Sequence, residues 1–247
     1  MGYTTKELHS EILKILSYID SVLTENDLHY SLAYGTVLGA VRENGFIPWD
    51  RDADVYIKLP ERDKVREALK RNLPDEFQYI DASVNNVNCF DNLRSKKYGE
   101  FAQVDIYSLI GEPDVTKWSD TKVKRRLLGN KVLVKLTCAK YGDYHKLHKA
   151  YKVLPFLLIK GILHFIPDRL IRLFIRKKEE AIPYDQALYC KALVGYTKRG
   201  EYLRKEVFEN VTRHEFCGKQ FNIPADYDTY LKARYGSDYM TPKQKNW

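Results

Sequence analysis

Residues 34–57 combine a glycine turn, a short helix and an apolar strand that begins with aspartates. They read YGTVLGAVRENGFIPWDRDADVYI, and the last aspartates run directly into the apolar segment that starts at Val55. Because alternate residues of a strand share a face, Asp52 and Asp54 are expected on the same side of a sheet. Two carboxylates on one face repel each other and favour protonation unless a cation lies between them. The stretch therefore predicts an α/β chain with a charged site at the start of one strand.

The same stretch offers ligands for a divalent cation and for a phosphate. Carboxylate oxygens suit Mg²⁺ or Mn²⁺, which proteins bind through one or two carboxylates together with substrate phosphates. Gly35 and Thr36 stand where a helix start presents backbone N–H groups to an anion. Arg42 either adds a guanidinium fork for phosphate oxygens or forms a salt bridge at the end of the short helix. Asp50 is expected to fix the loop beside the substrate, and Trp49 is expected in the core. Together, the possible ligands for a cation and for a phosphate favour phosphoryl or nucleotidyl transfer.

A third carboxylate, Asp105, lies in the middle of a second strand-like run, FAQVDIYSLI at 101–110. A charged side chain is rarely buried without a partner, so Asp105 either faces water on an edge strand or joins the first two acids. If its strand lies beside residues 53–59, three carboxylates complete one site. Such a site could hold two metal ions around an in-line displacement.

The first of these runs, at 34–55, resembles the signature of the LicD/fukutin family of phosphotransferases. The VDIY around Asp105 is similar to the next block of that family, and residues 215–240 are similar to its C-terminal block. The resemblance covers residues 8–242 and implies a nucleotidyltransferase-like α/β (α+β) fold, a mixed sheet flanked by helices with a mainly helical C-terminal portion. Three positions depart from the usual pattern: Arg51, Ala53 and Cys217.

The resemblance also implies a reaction, the transfer of phosphocholine or an alditol phosphate from a CDP-linked donor to a hydroxyl of a glycan or lipid-linked glycan. The acceptor hydroxyl would attack the β-phosphorus of the donor directly, and CMP would leave. Asp52, Asp54 and Asp105 would carry catalysis and hold Mg²⁺ or Mn²⁺, and Asp105 could also take the acceptor proton. The residues expected to bind substrate are Gly35, Thr36, Arg42 and Asp50.

Two other functions stay open at this point. One is a nucleotidyltransferase-fold enzyme that transfers an NMP group to a small molecule or a protein. The other is a non-enzymatic basic binding protein. The three intact acids argue against the binding protein, and the C-terminal block at 215–240 favours the phosphotransferase over NMP transfer.

Charge and cysteine content limit the partners. The 247 residues include 41 Lys and Arg against 33 Asp and Glu, a formal net charge of +8 that suits a nucleotide or an acidic membrane. The basic clusters at 117–126 and 169–178 carry no RNA-recognition, helix-turn-helix or zinc-finger pattern, so no nucleic-acid partner is expected. Widely spaced cysteines and the lack of an apolar signal segment at the start predict a cytoplasmic protein.

The periodicity of apolar residues divides the chain into a catalytic portion at 1–112 and a mainly helical portion at 113–247, packed as one compact unit. Thr4 and Glu7 form a capping box ahead of the first helix. The further predicted elements are strand 28–34, helix 36–43, strand 52–59, helix 61–72, strands 77–81, 87–94 and 102–109, a mainly helical 119–210, hairpin 213–223 and helix 226–235.

Residues 150–178 join an apolar run to a basic helix. The apolar run at 153–167 is too short to span a bilayer. In the helix that follows it, Arg169, Arg172 and Arg176 share one face. The segment is either a pair of core helices with a solvated basic face or a site of peripheral membrane contact.

Overall fold

The computed structural model describes residues 2–82, 89–141, 153–193 and 202–242. Over these ranges the chain forms a seven-stranded mixed sheet, a separate two-stranded hairpin and eight α-helices. This confirms the predicted α/β fold, in which a mixed sheet is flanked by helices.

Most element boundaries agree with the predicted ones to within a few residues. The strands are β1 (Tyr30–Leu32), β2 (Ala53–Lys58), β3 (Phe77–Ile80), β4 (Asp91–Ser95), β5 (Gly99–Glu112), β6 (Tyr189–Ala192), β7 (Leu203–Arg204), β8 (Val211–Phe216) and β9 (Lys219–Pro224). The helices are α1 (Thr5–Glu25), α2 (Tyr34–Glu43), α3 (Arg62–Arg71), α4 (Asp120–Tyr141), α5 (Val153–His164), α6 (Asp168–Glu179), α7 (Glu206–Glu209) and α8 (Tyr227–Tyr235). The first part of the strand predicted at 87–94 lies outside the described residues.

Strand β5 occupies the centre of the large sheet. Along the order β1-β2-β5-β4-β3, only the β2–β5 pair is parallel, and the other neighbours are antiparallel. The far end of β5 pairs with β6, and β6 pairs with β7. A central position with neighbours on both sides explains why β5 is long and largely buried.

The prediction that 119–210 is mainly helical is wrong at 189–192 and 203–204, where β6 and β7 are strands. The conformation of a short segment depends on the strands or helices it packs against, and β6 pairs with residues 109–112 of β5. Cys190 and Ala192 are buried by this pairing. The division at residue 112 stays a prediction, although β6 joins the sheet of the first portion.

Helices α1 and α3 cover one face of the sheet. The capping box of Thr4 and Glu7 is present at the start of α1, as predicted. Ser95 on β4 donates to Glu11 at 2.8 Å, which ties the sheet to α1. The predicted apolar face of α1 is buried throughout: Leu8, Ile12, Ile15, Leu16, Ile19 and Leu23.

The two faces of the sheet differ in chemistry. Val104 and Ile106 of β5 are buried in the main hydrophobic core that α1 also helps to form. Because side chains alternate along a strand, Asp105 and Tyr107 point to the opposite face. Tyr230 of α8 packs over that face, with its ring 6.3 Å from that of Tyr56. The sheet thus has an apolar face toward α1 and a polar face toward α8.

The β8–β9 hairpin turns at Cys217 and Gly218, as predicted, with φ of 53° and 74°. Two successive residues with positive φ are typical of the tight turns that match the strand twist. The N–H of Cys217 donates to the carbonyl of Asn44, the left-handed residue that ends α2, at 2.7 Å. The hairpin therefore supports the turn that connects α2 to the loop before β2.

The described side chains at 157–178 are mostly exposed, which disagrees with a pair of fully buried helices, although Leu163 is buried. Leu158, Ile162, Phe165 and Phe174 are each more than 60% exposed. None of the described helices is both long enough and apolar enough to cross a bilayer.

Candidate active site

Acidic and amide side chains form one row across three neighbouring strands. Asp54 on β2 is the register partner of Asp105 on β5, and Asp105 lies opposite Asn92 on β4. Residues directly opposite each other in adjacent strands point to the same face. Asp105 is only 5% exposed on a central strand, so the alternative of a solvated edge residue is wrong. Asp52, two residues before Asp54, is close enough to raise the pKa of Asp105 by repulsion.

The carboxylates are held together against their mutual repulsion. Burial raises the pKa of Asp54 well above its usual value, and the charges of Asp52 and Asp105 raise it further. Burial, with repulsion from Asp52, raises the pKa of Asp105 to about 7. Burial also raises the pKa of Asp52. In the absence of a cation, ionisation of these acids is therefore opposed by burial and by their mutual repulsion.

The acids supply some, but not all, of the ligands that a divalent cation needs. In the described part of the chain, no three His, Cys, Asp or Glu side chains are arranged to ligate a single ion. Mg²⁺ does not need such a cage, because one or two carboxylates and substrate phosphates suffice. Asp54 and Asp105, with Asp52 beside them, are the residues that would hold it. A site with two metal ions stays a prediction.

The loop before β2 is fixed by Asp50. A Cβ on Gly35 would lie 2.7 Å from Oδ2 of Asp50, so the Asp50 side chain lies directly against the backbone at the start of α2. The Asp50 side chain also hydrogen-bonds to Asp52, and its carbonyl lies 2.7 Å from Nε2 of His9. Asp50 thus stands next to the acids, as predicted. Trp49 was predicted in the core but is 43% exposed, because the loop carries it outward.

The start of α2 positions Asp54. The hydroxyl oxygen of Thr36 accepts a hydrogen bond from the backbone N–H of Asp54 at 2.9 Å. Tyr34 has a φ of +45°, in the left-handed region, and its N–H donates to the hydroxyl of Tyr230 at 2.7 Å. The N–H of Thr36 donates to the carbonyl of Ala33 at 3.0 Å. Two amides at this helix start are therefore used within the protein, and the phosphate cradle of Gly35 and Thr36 stays a prediction.

Arg42 forms the salt bridge that was one of its two predicted roles. Its Nε lies 2.7 Å from Oε1 of Glu43, and it also donates to the carbonyl of Tyr239 at 3.2 Å. Its side chain is 8% exposed. Six residues of helix, about 9 Å of rise, separate it from Thr36. Its contribution to substrate binding stays a prediction.

Two arginines that the sequence analysis did not single out lie near the acids. The guanidinium of Arg234 lies 3.8 Å above the ring of Tyr34, and its charge lowers the pKa of Asp54. Arg94 on β4 lowers the pKa of Asp105 and donates to Oδ1 of Asn92 at 3.0 and 3.2 Å. The position of Arg234 within the C-terminal block at 215–240 could have indicated a role for it. The proximity of Arg94 to Asp105 follows only from the β4–β5 pairing.

Polar side chains complete the surroundings of Asp105. Gln103 donates to Oδ1 of Asp105 at 3.1 Å, and the hydroxyl of Tyr107 lies 3.5 Å from Oδ2. Asn92 is fully buried, and its Nδ2 has no hydrogen-bond partner among the described residues. A buried donor without a partner is rare in proteins and is characteristic of functional sites. Asn92 is therefore a further candidate for contact with substrate.

A mixed sheet with paired acids on its central parallel strands agrees with the nucleotidyltransferase-like fold that the family resemblance implies. Residues 27–131, which include all three acids, match the family model described as LicD/FKTN/FKRP, nucleotidyltransferase domain. The chain is also 26% identical, over 257 residues, to the lipopolysaccharide cholinephosphotransferase LicD of Haemophilus influenzae. That alignment covers 96% of this chain and 91% of the relative. Residues 27–131 therefore resemble the nucleotidyltransferase domain of the LicD/FKTN/FKRP family, and the chain as a whole is similar to an enzyme of the LicD phosphotransferase type.

Proposed function

We propose that the protein transfers a phospho-alcohol, phosphocholine or an alditol phosphate, from a CDP-linked donor to a hydroxyl of a cell-surface glycan precursor, with the help of Mg²⁺ or Mn²⁺. The observation that carries the proposal is the row formed by Asp54 and Asp105, with Asp52 beside it. The name of the Haemophilus influenzae relative, a lipopolysaccharide cholinephosphotransferase, supports the choice of phosphocholine.

The chemistry is a single displacement at the β-phosphorus of the donor. The acceptor oxygen forms a new bond to this phosphorus, the bond to the oxygen of CMP breaks, and CMP leaves with that electron pair. The acceptor proton passes to a carboxylate oxygen of Asp105. In the metal-free protein the pKa of Asp105 is about 7, and a nearby Mg²⁺ would lower it, so that Asp105 would be ionised and able to accept the proton at neutral pH.

The negative charge of the donor requires cations. A bound Mg²⁺ would neutralise the pyrophosphate, since it prefers carboxylate and phosphate oxygens. Arg234 and Arg94 are the side chains that could bind phosphate oxygens, because each already acts on the charge of one acid of the row. Asp50 would hold the loop in place while the donor is bound.

The proposed location is the cytoplasm. Cys89, Cys190 and Cys217 are free thiols, which suits a reducing compartment. The proposed acceptor is a glycan or a lipid-linked glycan, in accordance with the substrate that the name of the relative states.

The test is a donor panel. The purified chain is incubated with CDP-choline, CDP-linked alditols or CTP, with Mg²⁺ or Mn²⁺ and a bacterial glycan acceptor, and the products are separated by chromatography. We expect CMP and a phosphorylated glycan from one of the CDP-linked donors, and loss of both when a chelator is added.

Two results would contradict the proposal. Release of pyrophosphate from CTP, with a nucleotide joined to the acceptor, would identify an NMP transferase. Equal CMP release by the wild type and by the variant Asp54→Asn would show that the acids do not carry the reaction.

A further inference from the structure

A cleft lies between α3 and α6, away from the row of acids. Its volume is about 860 Å³, within the range of roughly 300–1,000 Å³ that is typical of small-molecule sites. One wall includes Leu59, which follows the end of β2, whereas Asp54 lies near the start of that strand. Five residues of chain, about 16 Å when extended, separate Leu59 from Asp54. The cleft is therefore not part of the candidate active site.

Arginines from both helices line the cleft. On α6, residues 169, 172 and 176 recur at intervals of three and four, so they share one face with the buried Glu179. Glu179 pairs with Arg62 on α3 at 2.6 Å, which identifies this face as the inward one. A guanidinium group stays charged at physiological pH, and its planar fork matches the oxygens of a phosphate or a carboxylate. The arginines that line the cleft are Arg62, Arg66, Arg169, Arg172 and Arg176.

Two of these arginines remain available to a ligand. The other three already bind acids in the pairs Arg62–Glu179, Arg66–Asp91 and Arg176–Glu180. Among the described residues, Arg169 and Arg172 have neither an ion-pair nor a hydrogen-bond partner. Of the described acids that line the cleft, Asp185 is the one without an arginine partner, and it is exposed. The cleft thus presents two adjacent guanidinium groups without acids of their own.

Buried ion pairs hold the walls of the cleft. Glu179, which joins α6 to Arg62 on α3, is only 4% exposed. Arg66 donates to both oxygens of Asp91, at 2.7 and 2.9 Å, and the hydroxyl of Tyr79 donates to the same carboxylate at 2.7 Å. A site that is already formed loses little conformational entropy when a ligand binds. The two helices therefore provide a preorganised site.

The remaining lining of the cleft is mainly apolar. Leu173 directly follows Arg172 on α6 and is 44% exposed. Small-molecule sites commonly combine an apolar lining with a few charged groups that orient the ligand. The lining therefore suits a ligand in which an anionic group is joined to an apolar one. Its large apolar members are Leu59, Pro60, Leu173, Ile175, Ile182 and Pro183.

We propose that the cleft binds a phosphate monoester of an apolar alcohol, with the phosphate between Arg169 and Arg172 and the apolar group against Leu173. A phosphate monoester carries a charge of about −1.5 to −2 at pH 7, which matches two guanidinium groups better than the single charge of a carboxylate does. The ester belongs either to a lipid or to a small soluble molecule, since both present the same two groups. The proposal rests on this cleft alone and does not depend on the proposed reaction.

The test is isothermal titration calorimetry of the full chain with hexyl phosphate, in buffer that contains a chelator and no donor. We expect tighter binding than with hexanoate, which carries one charge, and tighter binding than with inorganic phosphate, which lacks the apolar group. Two further ligands distinguish the sources of the ester. Tighter binding of farnesyl phosphate than of phenyl phosphate indicates a lipid, and the reverse order indicates a small soluble molecule.

A double arginine variant tests the position of the phosphate. Arg169→Gln with Arg172→Gln should raise the Kd for hexyl phosphate by about 10-fold or more, because charge-assisted hydrogen bonds to the phosphate are lost. Lys124→Gln with Arg125→Gln removes the same charge from exposed positions on α4 outside the cleft and should change the Kd little. All four side chains are exposed, so both variants should melt with the wild type.

A pair of leucine variants tests the position of the apolar group. Leu173→Ser should weaken the binding of hexyl phosphate by about 5-fold, because apolar contact area is lost, and should leave inorganic phosphate unaffected. Leu170→Ser is the matched control, since Leu170 is 46% exposed on the same helix but does not line the cleft. It should change the binding of neither ligand.

Three outcomes would overturn the proposal. The first is the absence of measurable binding of hexyl phosphate at millimolar concentration. The second is the same Kd for the wild type and for the double arginine variant, which would place the ligand elsewhere on the protein. The third is binding of hexanoate or of inorganic phosphate as tight as that of hexyl phosphate. The titrations contain neither donor nor metal, so the presence or absence of transfer activity decides none of these outcomes.

Discussion

At the scale of single residues, the site depends on acids kept close together although they repel each other. Asp54 and Asp105 do not stabilise each other in the folded chain: beyond the effect of burial, the charges of Asp52 and Asp105 raise the pKa of Asp54, and the charge of Asp52 raises the pKa of Asp105. Residues that oppose stability in this way are typical of functional sites. Their removal should therefore cost activity and not stability.

Asp54→Asn or Asp52→Asn is expected to lower turnover by about 10²- to 10³-fold, because the amide keeps the shape but loses the charge. In metal-free buffer the melting temperature should hold or rise, since repulsion is relieved. Asp75→Asn, at an exposed position away from the row, should leave both quantities unchanged. Wild-type turnover in either variant of the row would refute its catalytic role.

Asp105 should make stability depend on pH. Its pKa is about 7 in the folded chain and near 3.8 when unfolded, so the folded state holds a proton that the unfolded state has lost. The stabilising contribution is complete below pH 4 and is lost as the pH rises through 7, at about 1.4 kcal/mol per pH unit. Denaturation in urea with a chelator, between pH 5 and 7, should show a slope that is smaller by this amount in Asp105→Asn. Parallel slopes would contradict the burial of Asp105.

At the scale of elements, the close contact of α2 with the loop that follows it determines where the acids lie. A Cβ on Gly39 would come within 2.4 Å of the carbonyl oxygen of Gly45 and 3.3 Å of the N of Ile47. Neither of these is the end of a flexible side chain, so the loop itself would have to move. This loop continues into Asp50 and Asp52.

Gly39→Ala is therefore expected to lower stability by about 1–3 kcal/mol and to reduce turnover, because overpacking displaces the loop. Gly129→Ala is the matched control, since nothing lies within 4 Å of the added methyl group in α4. It should be neutral or stabilising by up to about 1 kcal/mol, as alanine favours helix over glycine. Thermal melting and CMP release measure the two effects. Equal melting temperatures for the two variants would contradict the close contact of Gly39 with the loop at Gly45.

At the scale of the whole molecule, the C-terminal helix α8 completes a site whose acids lie in the first half of the chain. Its Tyr230 accepts the N–H of Tyr34, and its Arg234 stacks on the ring of Tyr34. The left-handed backbone of Tyr34 is strained, so such support from outside the segment is needed. The C-terminal block is thus part of the site.

Tyr230→Phe should destabilise the protein by about 1–3 kcal/mol, because the buried N–H of Tyr34 loses its acceptor. Turnover should fall as well, since the same helix start holds the backbone of Asp54 through Thr36. Tyr227→Phe, a half-exposed neighbour on α8, is the control and should have little effect. If both variants have the same melting temperature, the contact between α8 and α2 does not stabilise the fold.

What the sequence determined by itself was local. The capping box of α1, the turn at Cys217 and Gly218, and the shared face of Asp52 and Asp54 all follow from residues close together in the chain, whose geometry is set by backbone sterics and side-chain alternation. The family resemblance, which the match of residues 27–131 confirms, allowed the α/β fold to be predicted as well.

Only the tertiary structure decided which distant segments meet. It placed Asp105 on a central strand beside Asp54, added β6 to the sheet, and brought Arg234 to the site from the far end of the chain. It also directed the apolar side chains of α5 and α6 outward. Strand order and helix docking depend on how all the apolar surfaces of the chain are buried together. No local pattern in the sequence specifies that arrangement.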